Sequence, residues 1–263
     1  MANVKSANHG SRPTIVFWIV GILVIVLLWL SSYYYFAVYR VDLNWADKGS
    51  IGDSYGAVNT LSAGLAFLAL IITIYLQSKA LRESKADADL QSFENKFFQL
   101  TRVHNDILDG IVKYQTSGNQ HIPIQGRQRF VKLYEEFAGL YDLEKQRTPA
   151  AVPSDLIQSA YTIFFARNEH EVGHYFRHLY SIVAFIDRSS FSPAVKNSYT
   201  KLLRAQLSSC ELLLLFYNCL HEKGRRKFKP LVEKYGLLEH MPHLRDEQHK
   251  SLNDPSAFTD PSD

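Results

Sequence analysis

Apolar positions along the chain follow two different patterns. From Thr14 to Val38 the sequence reads TIVFWIVGILVIVLLWLSSYYYFAV, with no charge. A second uncharged stretch, Ser54 to Gln77, reads SYGAVNTLSAGLAFLALIITIYLQ. Each is longer than the roughly 20 residues a helix needs to cross a hydrocarbon core about 30 Å thick. The pattern predicts a transmembrane hairpin with spans at 14–38 and 54–77 and a short external loop at 39–53. A cleaved signal peptide is the competing reading of the first stretch. The apolar run is longer than such a leader's and ends without a small-x-small site.

Beyond Lys79 the apolar residues recur at helical spacing instead of in blocks. Residues 78–92, KALRESKADADLQS with Ser78 before it, are charged and free of Gly and Pro, which predicts a helical stalk. Phe93, Phe97, Leu100, Ile107, Leu108 and Ile111 form a first stripe, and a polar break follows at Ser117, Gly118 and Asn119. A second stripe runs from Phe130 through Leu133 and Phe137 to Tyr141. Ser154 is the expected cap of a third helix carrying Leu156, Ile157, Ala160 and Phe164. Val172, Tyr175, Phe176, Leu179 and Val183 mark a fourth. Ser192 and Pro193 open a fifth that carries Leu202, Leu203 and Leu207 on through ELLLLFYNCL. Phe228, Leu231, Val232 and Tyr235, closed by Gly236, make a short last helix. No alternating strand pattern stands out. The fold class expected is all-α, a two-helix transmembrane hairpin followed by a cytoplasmic helical domain at 93–244. A polar tail at 245–263 is expected to be disordered.

Charge sets the expected orientation. Lys5 and Arg12 precede the first span, and Lys79, Arg82 and Lys85 follow the second, so both termini are expected to be cytoplasmic. The net charge of +3 is too slight to argue for nucleic-acid binding, and the many Phe and Tyr residues suit a core. Cys210 and Cys219 fall in one predicted helix in a reducing compartment, which favours core thiols over a disulfide or a metal pair. No cofactor is implied.

Two motifs carry candidate chemistry. HEVGH, His170–His174, matches H-E-x-x-H, in which two histidines hold zinc and the glutamate is a general base. On a helical wheel His170 and His174 lie opposite the apolar face, among Arg167, Arg177 and Arg188. Arg177 and Tyr180 occupy the glycine and third-histidine positions of the extended zinc motif. A solvated helix turn is therefore expected at His170 and Glu171, with a zinc peptidase as the weaker alternative. Arg167 and His174, six residues between them, resemble the active-site pair of HEPN ribonucleases, which are also all-α. That resemblance implies a histidine assisting proton transfer and an arginine stabilising phosphorane charge.

Three stretches together point to a family: GDSYGAVNTLSAGLAFLALIITIYLQ, FENKFFQLTRVHNDIL, and HYFRHLYSIVAFID followed by YTKLLRAQLSSCELLLLFYNCL. From about residue 14 to about residue 240 the chain resembles the AbiC-like family of phage abortive infection proteins, and it is similar to two-span effectors of retron anti-phage systems. The resemblance implies an effector triggered by infection that injures the host membrane, with partner defence proteins such as a reverse transcriptase and its non-coding RNA. It transfers no active site. In the second span Gly56, Thr60 and Gly64 form a small-residue stripe, with Asn59, Ser62 and Ala63 beside it. Such a stripe packs the hairpin on itself or packs subunits of a homo-oligomer, in which Asn59 and Ser62 would line a path through the bilayer. In the cytoplasmic part, His174, Arg177 and His178 offer a polar face. Arg204, Gln206, Glu211 and Asn218 interrupt apolar helices, as a satisfied internal network or as a surface read by a trigger.

Overall fold

The computed structural model describes residues 21, 23–31, 34, 45–117 and 120–261, which divide into two compact units, Met1–Ser84 and Lys85–Asp263. In the first unit the described residues between 21 and 34 are helical and exposed. The remainder of the expected first span, 14–38, lies outside the described residues. Helix α1, Trp45–Asp109, begins in this unit and continues into the second. Its start corrects the expected loop at 39–53, since residues 45–53 are already helical. Those nine positions hold no proline, and two glycines cost a helix only about 1 kcal/mol each. From Asn59 to Ser84 every side chain of α1 is exposed. Its most apolar 18-residue window has a mean hydropathy of 1.8 and none of it is buried. Among the described residues it is the one helix long and apolar enough to cross a membrane.

The second unit is predominantly helical. After the end of α1 come β1, Val112–Ser117, and β2, Gln120–Gln125, paired antiparallel with Val112 opposite Gln125. The expected polar break starts at Ser117, the last residue of β1, with Gly118 and Asn119 outside the described residues, while the strands on either side of it were not expected. The apolar-polar alternation, Val112-Lys113-Tyr114-Gln115, is only four residues long, and Pro123 opposite Tyr114 weakens the strand signal further. Then follow α2, Gly126–Arg147; α3, Pro153–Asn168; a π-helical turn, Glu169–Gly173; and α4, His174–Arg188. The chain closes with α5, Pro193–Arg204; α6, Ser209–Leu220; α7, Glu222–Arg225; and α8, Lys229–Lys234.

Helix starts follow the chemistry of their first residues. Pro153 sits at the first position of α3 after Val152, so Ser154 lies inside the first turn and is not the cap. Pro193 opens α5 behind Ser192. The predicted fifth helix is in fact two. It breaks at Ser208, whose backbone N–H is taken by the Glu211 carboxylate at 2.8 Å. Ser-x-x-Glu is a readable capping box, and it starts α6 afresh. The apolar run Leu212–Cys219 is buried in the core, with Phe97, Phe130, Phe137, Phe164, Tyr175 and Ile182 among its companions. The last turns of α1 join that core through Phe93, whose ring lies 4.9 Å from those of Phe185 and Tyr199.

The C-terminal segment corrects the expectation of disorder. Two 3-10 turns, Glu247–Leu252 and Pro255–Phe258, pack against the helices. His249 is buried between the hydroxyls of Tyr141 and Tyr217, at 2.9 and 3.0 Å. Leu238 donates its N–H to the Ala257 carbonyl at 2.9 Å. Gly236 adopts a φ of +54°, and a Cβ there would meet the Thr259 carbonyl at 1.9 Å, so glycine is required on both counts. Asp260 ends the docking, held by Arg204 at 3.1 Å and Lys201 at 2.8 Å. A polar segment is expected to stay disordered because it has few apolar groups to bury. Here individual polar groups find buried partners and hold the segment in place.

Candidate functional site

The helical run from α3 to α4 is interrupted by the π turn that carries most of HEVGH. Such turns often mark functional sites. His170 is exposed, and His174 opens α4 on the surface. Glu171 behaves differently. It lies four residues before the buried Tyr175, on the same helical face, and its side chain is 10% exposed. Its Oε2 accepts from Arg129 Nε at 2.7 Å and its Oε1 from Arg129 Nη2 at 3.1 Å. Arg129 also donates to Asn168 Oδ1 at 3.1 Å, and the Asn168 amide donates to Glu136 Oε1 at 3.1 Å and to the Phe164 carbonyl at 3.0 Å.

The expectation of an exposed turn therefore holds for His170 and fails for Glu171, which is the bidentate partner of a buried arginine. With both oxygens committed to that guanidinium, this carboxylate is not placed to activate a zinc-bound water. Among the described residues no group of three His, Cys, Asp or Glu is arranged to hold a metal. Arg167, in the last turn of α3, and His174 are both exposed, with the π turn between them.

Behind His174 a line of imidazoles runs inward. Arg177 is exposed, His178 is half-buried, and the His178 ring stacks on that of His104 with centroids 5.7 Å apart. His104, on α1, is 2% exposed, touches the Tyr175 ring at 4.6 Å, and has no hydrogen-bond partner on either ring nitrogen. Burial, with the nearby His178, holds its pKa down to about 4. His178 is lowered as well, first by burial and then by His174. The hydroxyl of Tyr175 donates to Glu211, and its pKa stands well above the usual value through burial and that carboxylate.

Of the polar residues that interrupt the later helices, Gln206 and Glu211 share Arg127 as a partner, and Arg204 and Asn218 meet others. Glu211 serves Tyr175 and the α6 cap, with Arg127 at 3.8 Å. Arg204 donates to the Gly236 carbonyl at 2.9 Å and pairs with Asp260 and Glu239. Asn218 donates to the Tyr161 hydroxyl at 3.0 Å. The Gln206 carbonyl accepts from Arg127 at 2.9 Å. In the first unit Gly56, Asn59, Thr60, Ser62, Ala63 and Gly64 are all exposed, and Thr60 donates to the Gly56 carbonyl at 2.8 Å.

Beside the π turn the structure holds a cleft of about 480 Å³ that sequence reasoning missed. Rings of Phe165, Tyr180 and Phe228 and the cations Arg177, Lys223 and Lys227 line it. The readable signal is the basic run KGRRKFK, Lys223–Lys229, which the nearly neutral charge of the whole chain conceals.

No curated protein and no solved structure matches the chain. A family model described as "Putative phage abortive infection protein" matches residues 167–245. The match is shorter than the expected resemblance from residue 14 to residue 240. It takes in the end of α3, the π turn and α4 to α8, and every residue lining the cleft except Phe165. Over this segment the chain is similar to the phage abortive infection family.

Proposed function

We propose that the protein is a membrane-anchored abortive infection effector that, once triggered, assembles through its apolar helices and breaches the inner membrane of the infected cell. The observation that carries this is the first part of α1. Leu61, Leu65, Phe67, Leu68, Leu70, Ile71, Ile72, Ile74 and Leu76 are exposed on all sides of the helix. A helix that is apolar all round has no face to turn to water, and lipid is the solvent that suits it. Thr60 and Thr73 return their hydroxyls to the Gly56 and Ala69 carbonyls at 2.8 and 2.7 Å, which meets the need of polar groups in hydrocarbon. In this reading residues 14–38 form a second span, both termini are cytoplasmic, and the Gly56-Thr60-Gly64 stripe brings subunits together with Asn59 toward the shared interior.

The test scores cell death during phage challenge alongside a membrane-potential dye. Wild type depolarises before lysis, and Gly64→Leu or Asn59→Leu abolishes depolarisation at unchanged protein level. Death with the potential intact and RNA cleaved, lost in Arg167→Ala and His174→Ala, overturns this reading in favour of a tethered ribonuclease.

A further inference from the structure

The buried cations Arg129 and Arg204 have the acidic partners Glu171 and Asp260, and the half-buried Lys229 has Glu233. The three cations of the cleft beside the π turn have none. Arg177, Lys223 and Lys227 form no ion pair among the described residues, although all three line one concavity. All three are exposed, and the one with an aromatic neighbour is Lys223. Its ammonium lies 5.3 Å from the centroid of the Phe165 ring, and a Cβ on the adjacent Gly224 would meet Asn218 at 2.4 Å, so the backbone there is pressed against α6. Three like charges gathered in a recess repel one another unless an anion joins them.

The remaining lining tells what kind of anion fits. Tyr180 and Phe228 meet edge to face at 5.7 Å, and with Phe165 and Phe176 they give the cleft aromatic walls. Aromatic surfaces with cations beside them are suited to stacking a planar base next to phosphate. Glu169 is the one carboxylate in the lining, an acceptor for a hydroxyl or amino donor. A cleft of about 480 Å³ is the size of a small-molecule site.

We propose that this cleft binds a nucleotide. Arg177, Lys223 and Lys227 take the phosphates, the rings of Tyr180, Phe228 and Phe165 pack the base, and Glu169 takes a sugar hydroxyl or a base amine. The site lies wholly in the second unit, so it stands or falls separately from the membrane reading.

The experiment titrates the purified full-length chain in detergent micelles with trinitrophenyl-ATP and trinitrophenyl-GTP, reading probe fluorescence. Displacement by the unlabelled nucleotide, by inorganic tripolyphosphate and by adenosine follows. The expected result is saturable binding displaced best by the whole nucleotide. It weakens tenfold or more in Lys223→Glu and in Lys227→Glu, weakens in Tyr180→Leu, and is unchanged in Arg102→Glu on the exposed side of α1. Lys223→Arg retains binding. Thermal melting by circular dichroism certifies each variant as folded, and Lys223→Gln and Arg177→Gln give the reading if a charge reversal does not fold. Absence of saturable binding of either probe to wild type overturns the proposal. So does displacement by tripolyphosphate as efficient as by the nucleotide, or unweakened binding in the folded lysine variants.

Discussion

Between Asn59 and Ser84, α1 carries its leucines and isoleucines outward, while the second unit carries Arg129, Glu171, Arg204 and Asp260 inward. Each arrangement would be a fault if it occurred in the other region. Apolar side chains on every side of a helix are stable only where the surroundings are apolar. Buried charges persist only where a partner of matching shape replaces the lost water, as the forked guanidinium of Arg129 does for Glu171 at 2.7 and 3.1 Å. Burial in this chain thus follows the local solvent and partner, and is not ranked by residue type alone.

The strongest way to break that contrast is to remove one member of the buried pair. Glu171→Ala leaves Arg129, 3% exposed, without its counter-charge, and should lower stability by about 3–5 kcal/mol in chemical denaturation. The double change Arg129→Met with Glu171→Leu should recover most of that loss, because it removes both charges together. A loss in the single variant below about 1 kcal/mol would mean that the charges are not truly sequestered.

The opposite region is probed by placing a charge outside. Ile71→Arg should oppose insertion by about 2.5–3.5 kcal/mol and shift protein out of the membrane fraction, whereas Ile71→Leu should leave fractionation unchanged. If α1 worked in water, the arginine would raise solubility and the fraction would not change.

The smallest effect at mild pH comes from His104. Its folded pKa is lowered, from 6.5 to about 4, so the unfolded chain takes up the proton first as pH falls. Stability is whole above pH 6.5 and is lost between there and about pH 4, by about 1 kcal/mol at pH 5.5 and up to about 3 kcal/mol at the lower end. His104→Phe should flatten that part of the stability–pH profile, measured by urea denaturation at a series of pH values.

Much of the helical layout was legible because each stripe buries one face. Phe93 and Phe97, then Phe130, Leu133 and Phe137, then Tyr175, Leu179 and Val183, are all buried as their spacing implied. The break between α5 and α6 was also written in the chain as Ser208-x-x-Glu211, but the apolar run on both sides masked it. Glu171 could have been assigned to the inner face from its place four residues before Tyr175. Its partner Arg129, 42 residues earlier, could not be read from spacing. The cleft is the least legible feature, since α3, α4, α6 and α7 all contribute to it and only the basic run after Leu220 hinted at charge there.

By itself the sequence determined that residues 54–77 have no polar face to offer water, because that follows from side-chain chemistry on a helix of known rise, whatever it packs against. It likewise determined which faces of the later helices are apolar. Only the tertiary structure decided that the glutamate of HEVGH is a structural ion-pair partner, that the polar tail is docked through His249 and Asp260, and that Arg177, Lys223 and Lys227 converge on one cleft. The reason is common to all three. A polar side chain's role depends on which distant group meets it once water is excluded, and periodicity along the chain carries no record of that meeting.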